Sequence, residues 1–192
     1  MPLASAALSP AMADRHVVVR LPAVGTVLGG ILRDHPGALV RTVTVPTADP
    51  SEVRFRAAVA GLPTEGLARL RLEWQVQYGT EPVPLAGVPD GLQMTLTMDR
   101  IAQPEMARLL QLEPRLAVLG NVAAGTWVEQ WLAVPPGEAP RVSQLVQDHL
   151  PAVPGLQVHA AQPRSDDLAA WQELRSAPGR PLQAGTPSVR NG

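Results

Sequence analysis

The sequence says much the same thing twice, and that repetition constrains its fold more than any other feature. His16 to Leu21 is a β-type run, followed by an apolar helical stretch from Val24 to Leu32 and a stop at Asp34-His35-Pro36-Gly37. Leu92 to Met98 is a second such run, followed by a helical stretch from Ile101 to Leu112 and a stop at Glu113-Pro114. Each stop leads into another β-type run, Leu39 to Val45 and Leu116 to Val122. After each comes a further run ending in Ala-Val, at Ala58-Val59 and Ala133-Val134, then Pro, Glu and a helical pattern. Such self-similarity sets the fold class before any residue-level detail. It predicts an α+β protein of duplicated ferredoxin-like (βαββαβ) units packed as one body. The expected organisation is an N-terminal extension over 1–13, units over 14–90 and 91–163, and a short helix with a disordered tail over 164–192.

Individual elements follow from hydrophobic spacing. Val24, Val27, Leu28, Ile31 and Leu32 form an apolar helical stripe, which Gly29 and Gly30 weaken by about 1 kcal/mol each relative to alanine. Leu92, Met94, Leu96 and Met98 alternate with Gln93, Thr95 and Thr97, as in a strand with one buried face. Ala124-Gly125 reads as a tight hairpin joining runs 116–123 and 127–134. Residues 63–78 fit two patterns. Leu70, Leu72, Trp74, Val76 and Tyr78 alternate strictly, whereas Leu67, Leu70, Trp74 and Tyr78 have helical spacing. Asp49-Pro50-Ser51-Glu52 likewise resembles a helix start. Comparison with the second unit favours a strand over 53–60 and a helix from 63. Beyond Gln162 periodic order fades, although Leu168, Trp171 and Leu174 fit one side of a short helix.

Composition narrows the function. A net charge of −1 provides no global field for nucleic acid or an acidic membrane. The 16 basic residues are all arginine, scattered among acids, as the coding bias of a GC-rich genome would produce. With no cysteine there is no disulfide framework or thiol nucleophile, which fits a cytoplasmic location. No apolar run is long enough to span a membrane. Residues 1–13 lack the basic start and apolar core of a signal peptide.

No reactive constellation stands out. His16, His35, His149 and His159 have no metal-ligand spacing, and neither metal nor cofactor is expected. Glu52, Glu65, Glu105 and Glu138 fall in the first turns of predicted helices, where they complement the helix dipole. Nucleophile-elbow and phosphate-loop motifs are absent, and without lysine no Schiff base can form. The candidate ligand- or partner-binding residues are therefore Trp127, Trp131 and Trp74. The first two lie four apart on a predicted strand and so share a face.

The order of elements resembles the N-terminal regulatory region of bacterio-opsin-activator-type helix-turn-helix regulators. The resemblance spans roughly residues 15–162 and rests on His16 to Val45, with the helix ending at Asp34-His35-Pro36. It rests equally on Leu116 to Gln157, with Gly125-Thr126-Trp127 at the hairpin. It implies small-molecule sensing linked to transcription. The chain departs from that family after Gln162, where no two-helix pattern follows, so direct DNA binding is not expected. The reading is a non-enzymatic regulatory or interaction module with a small-molecule or protein partner, open to homodimer formation. The alternative is a cofactor-independent dimeric α+β barrel enzyme with a histidine base in an apolar pocket, and a nucleic-acid-binding protein is more distant.

Overall fold

The structure, a computed structural model, describes residues 15–23, 27–99, 104–150 and 154–177, with only the backbone of 104–107. The expected extension over 1–13 and the tail from 178 lie outside these residues, as do Val24 and Ile101.

Among the described residues the chain is α+β, with five helices and one eight-stranded sheet. The strands are β1 His16–Pro22, β2 Leu39–Pro46, β3 Glu52–Ala60, β4 Val83–Pro84, β5 Leu92–Asp99, β6 Ala117–Ala124, β7 Trp127–Ala133 and β8 Gln157–Ala160. The helices are α1 Val27–Asp34, α2 Thr64–Tyr78, α3 Pro104–Leu112, α4 Ala139–His149 and α5 Ser165–Ser176. Every strand pair is antiparallel, in the order β4-β5-β3-β2-β6-β7-β1-β8. Thus β1 lies between β7 and β8, and β5 lies between β3 and β4. Neither β1 nor β5 pairs with the strand that follows it in sequence. Both edge strands are short, which limits unwanted pairing with other chains.

Period-two alternation divides the core between the two faces. On β1, Val17 and Val19 point to one side and Val18 to the other, and all three are buried. One face carries two clusters. Ile31, Leu70 and Trp74 of α1 and α2 pack on Val40, Val59 and Met94. Leu109, Val142 and Val146 of α3 and α4 pack on Val17, Val19 and Leu132. On the opposite face, among the described residues, α5 supplies the helical cover, with Trp171 and Leu174 on Val18, Val43, Val122 and Trp131.

The favoured strand over 53–60 and helix over 63–74 are present as β3 and α2, and the apparent alternation over 70–78 is no strand, because Leu72 and Val76 are 64% and 78% exposed. Only Leu70 and Trp74 of that series, one helical turn apart, are fully buried. Other expectations change. Glu52 opens a strand rather than a helix. Asp49 instead accepts bonds from the Ser51 backbone N–H and hydroxyl in the preceding turn. Order does not fade after Gln162: α5 is part of the core, with Trp171 0% exposed, whereas Leu168 faces solvent at 40%.

Candidate functional site

The sheet is least continuous at its centre. β2 and β6 pair only from Val40↔Ala123 to Thr42↔Asn121, although β2 runs on to Pro46 and β6 begins at Ala117. β2 remains paired to β3 along its whole length, and β6 carries a bulge between Val118 and Gly120. Bulges of this kind re-aim side chains and end pairing. Past Thr42 the two central strands no longer share a ladder, and a cleft of about 660 Å³ occupies the opening.

The cleft lies between the helical layers of the two halves. Leu28 of α1, Trp74 and Tyr78 of α2, and Leu110 and Gln111 of α3 form its walls. Phe55, Leu96, Met98 and Val118 supply part of its apolar floor, with Val43, Val45 and Leu119, which also pack in the cluster under α5, and Thr44, Asn121 and Gln130 interrupt it. Asp99, which is exposed, is the only charged residue among the described lining.

The aromatic wall is held in place by its own hydrogen bonds and ring contact. Trp74 is 2% exposed, and its indole N–H donates to Thr80 Oγ1 at 2.9 Å. The Thr80 hydroxyl in turn donates to the Thr95 carbonyl at 3.3 Å. The Tyr78 ring sits 4.4 Å from that of Trp74, tilted by 54°. A tilted pair at this separation is a favourable ring geometry.

Asn121 stands where the two central strands part. Its Nδ2 donates to Thr42 Oγ1 at 3.2 Å, and its main-chain carbonyl accepts the Trp171 indole N–H at 3.1 Å. Its Oδ1 is buried and has no hydrogen-bond partner. Buried polar atoms in native proteins are nearly always paired, so this one calls for an explanation.

Behind the cleft, α5 closes the other face of the same seam. A Cβ on Gly120 would come within 2.5 Å of the Trp171 ring, so only glycine admits the indole there. Asp167, itself buried, accepts from Arg41 Nε at 2.7 Å. Arg56 Nη1 donates to the Leu174 and Arg175 carbonyls at 2.7 and 3.1 Å, capping the helix end. Burial pushes the Arg56 guanidinium below its ordinary pKa, with Arg54 adding a smaller repulsion. Arg175 reaches the Val118 carbonyl at 3.2 Å and also donates to that of Leu119, taking up acceptors along the part of β6 that β2 does not pair.

The three tryptophans read from sequence do not converge. Trp74 lines the cleft, whereas Trp127 and Trp131 occupy the opposite sheet face, which they share as their spacing requires. Trp131 is 6% exposed beneath α5, its ring 6.4 Å from Trp171. Trp127 is half-buried under the Arg20 guanidinium, 4.3 Å from its ring centre. Phe55, Asn121 and Gln130 escaped the sequence reading as site residues because strand register brings them together, and Tyr78, one helical turn after Trp74, was read only as part of the helix stripe. No histidine is among the described lining residues, and no three metal-ligating side chains gather anywhere among the described residues. No described helix is long and apolar enough to cross a membrane. In comparisons with known proteins, no family model, no curated protein and no solved structure matches this chain.

Proposed function

We propose that this chain is a non-enzymatic binding module of regulatory type, and that the cleft beside the β2–β6 seam holds a small, largely apolar molecule. One observation carries this reading: a space of about 660 Å³ with an aromatic wall already fixed and almost no charge. Ligand sites are typically concave, apolar and furnished with a few placed polar groups. No histidine is among the described lining residues, which favours binding over the barrel-enzyme alternative. A cytoplasmic sensing role, as in the regulators the sequence resembles, goes with the proposal on the strength of the cysteine-free sequence.

The test is saturable displacement of an apolar fluorescent dye, beside native mass spectrometry of protein purified from its own host. Leu96→Trp, which adds bulk on the cleft floor, should abolish dye binding with little change in the melting midpoint. Dye binding that survives this substitution unchanged would place the ligand elsewhere and defeat the proposal.

The proposal includes a duplicated ferredoxin-like architecture with exchanged first strands. Outward from the seam the order is β2-β3-β5-β4 on one side and β6-β7-β1-β8 on the other. In both, the roles within a βαββαβ unit run second, third, first, fourth, with the first strand donated by the other unit. Fragments 14–90 and 91–163 should then fold poorly alone and associate when mixed. Independent melting of each would end the exchanged-strand reading.

A further inference from the structure

Resting on the cleft as the ligand site, we propose that its ligand is a neutral planar ring compound carrying a donor beside an acceptor, as a carboxamide or lactam does, and that this polar edge meets the side-chain amide of Gln130. Gln130 lines the cleft and is half-buried. It is paired with Asn121 of β6 on one side and Val19 of β1 on the other, so its backbone lies within the sheet and its side chain is the part that reaches the cleft. Among the described residues that amide makes no hydrogen bond, and its polar atoms keep accessible surface. The neighbouring amide is out of a ligand's reach. Asn121 Oδ1 is enclosed, beside the Thr42 hydroxyl that Asn121 Nδ2 engages.

The other polar groups of the lining select less. Thr44 and Gln111 are exposed, so water competes for them, and the Tyr78 hydroxyl turns to suit either a donor or an acceptor. A glutamine amide instead holds a carbonyl oxygen and an NH₂ side by side in one plane. A ligand that meets only one of them displaces water from the other without replacing it. Charge sets the second limit. No arginine or histidine is among the described lining residues, so an anion would find no counter-charge there, and Asp99 at the exposed side would repel one. The tilted Trp74 and Tyr78 rings, with Phe55 on the floor, suit the faces and edges of a planar hydrocarbon ring.

The experiment measures binding of 4-phenylbenzamide and of methyl 4-phenylbenzoate to the full chain by calorimetric titration. The ester keeps the rings and the carbonyl acceptor but removes the donor. The amide should bind roughly tenfold more tightly, the size of effect expected when one of two paired polar groups loses its partner. The 4-phenylbenzoate anion should show no saturable binding. In Gln130→Met, which keeps the length of the side chain without its amide, the advantage of the amide probe should shrink to about twofold or less. Equal affinities in the unaltered protein, tighter binding of the ester, or an advantage that survives Gln130→Met would each overturn the Gln130 assignment. With equal affinities that Leu96→Trp abolishes, the cleft remains the ligand site and only its specificity is misassigned. Failure of both neutral probes while the dye still binds would overturn the ligand class, and failure of the dye as well would remove the ligand site itself. If neither Gln130→Met nor Gln130→Leu folds, Gln130 supports the sheet and the assignment falls.

Discussion

Gly120 and Asn121 are neighbours on β6, yet they serve opposite faces of the sheet in opposite ways. Behind Gly120 the seam is filled: Trp171 occupies the space a side chain would have taken, and arginine side chains from β2 and β3 fasten α5 over it. In front of Asn121 the same seam is left open as a cleft of about 660 Å³. Protein interiors are packed about as densely as organic crystals, so an apolar opening of this size beside a fully closed one is a difference in use. The closed face holds the two halves of the sheet together where β2 and β6 stop pairing. That support lets the other face stay open.

The largest expected effect comes from emptying the closed face. Trp171→Ala removes a 0% exposed side chain and its bond to the Asn121 carbonyl, and should cost about 3–5 kcal/mol by urea unfolding. Tyr78→Ala, at a half-buried wall of the cleft, should cost only about 1–2 kcal/mol while weakening dye binding. Equal losses would mean that the cleft side supports the fold as much as α5 does, and the contrast between the faces would fail.

A glycine pair sharpens the comparison. Gly120→Ala drives a methyl group into the Trp171 ring, and overpacking of this kind typically costs about 1–3 kcal/mol. Gly30 of α1 has nothing within 4 Å of its missing Cβ, so Gly30→Ala should stabilise by about 0.5–1 kcal/mol through helix propensity. Opposite signs in the melting midpoint are the outcome to look for. A neutral Gly120→Ala would show that α5 rides loosely on the sheet.

Much of the fold was legible in the sequence because its signals are local. The alternation of Leu92 to Met98 gave β5, the Ala124-Gly125 turn gave the β6–β7 hairpin, and Gly125 does take a left-handed φ of +56°. Residues 64–78 resisted because both strand and helical spacings were apolar, and only the exposure of Leu72 and Val76 distinguishes the two patterns. Strand order was not legible: β1 could have paired within its own half on any pattern of its own residues. The site was legible only at Trp74. Trp127 and Trp131 have the spacing of a shared surface, but whether a face is free depends on what covers it, and α5 arrives from a stretch whose periodicity looked marginal. The cleft has no local signature, since it arises where two strands distant in sequence stop pairing after three residue pairs.

The smallest expected effect concerns acid and should fall on the cleft side. Glu113, just past the end of α3, is 6% exposed; it accepts from Arg115 Nε at 2.8 Å and also from Arg141 of α4. The hydrogen bond from Arg115, followed by that from Arg141, lowers its pKa from an ordinary 4.5 to about 2. Because the folded value is the lower one, the stabilisation is fully present above about pH 4.5 and is lost as pH falls towards 2. Leu110 and Gln111 of the same helix line the cleft, so protonation of Glu113 loosens a cleft wall, whereas Trp171 packs on the other face. Acid titration should therefore weaken dye binding between pH 4.5 and 2 before the tryptophan fluorescence of the α5 face changes. Glu113→Gln should flatten the part of that stability profile due to this carboxyl and leave the remainder unchanged. Simultaneous loss of both signals, or a profile indifferent to Glu113→Gln, would show that the two faces respond to acid as one unit.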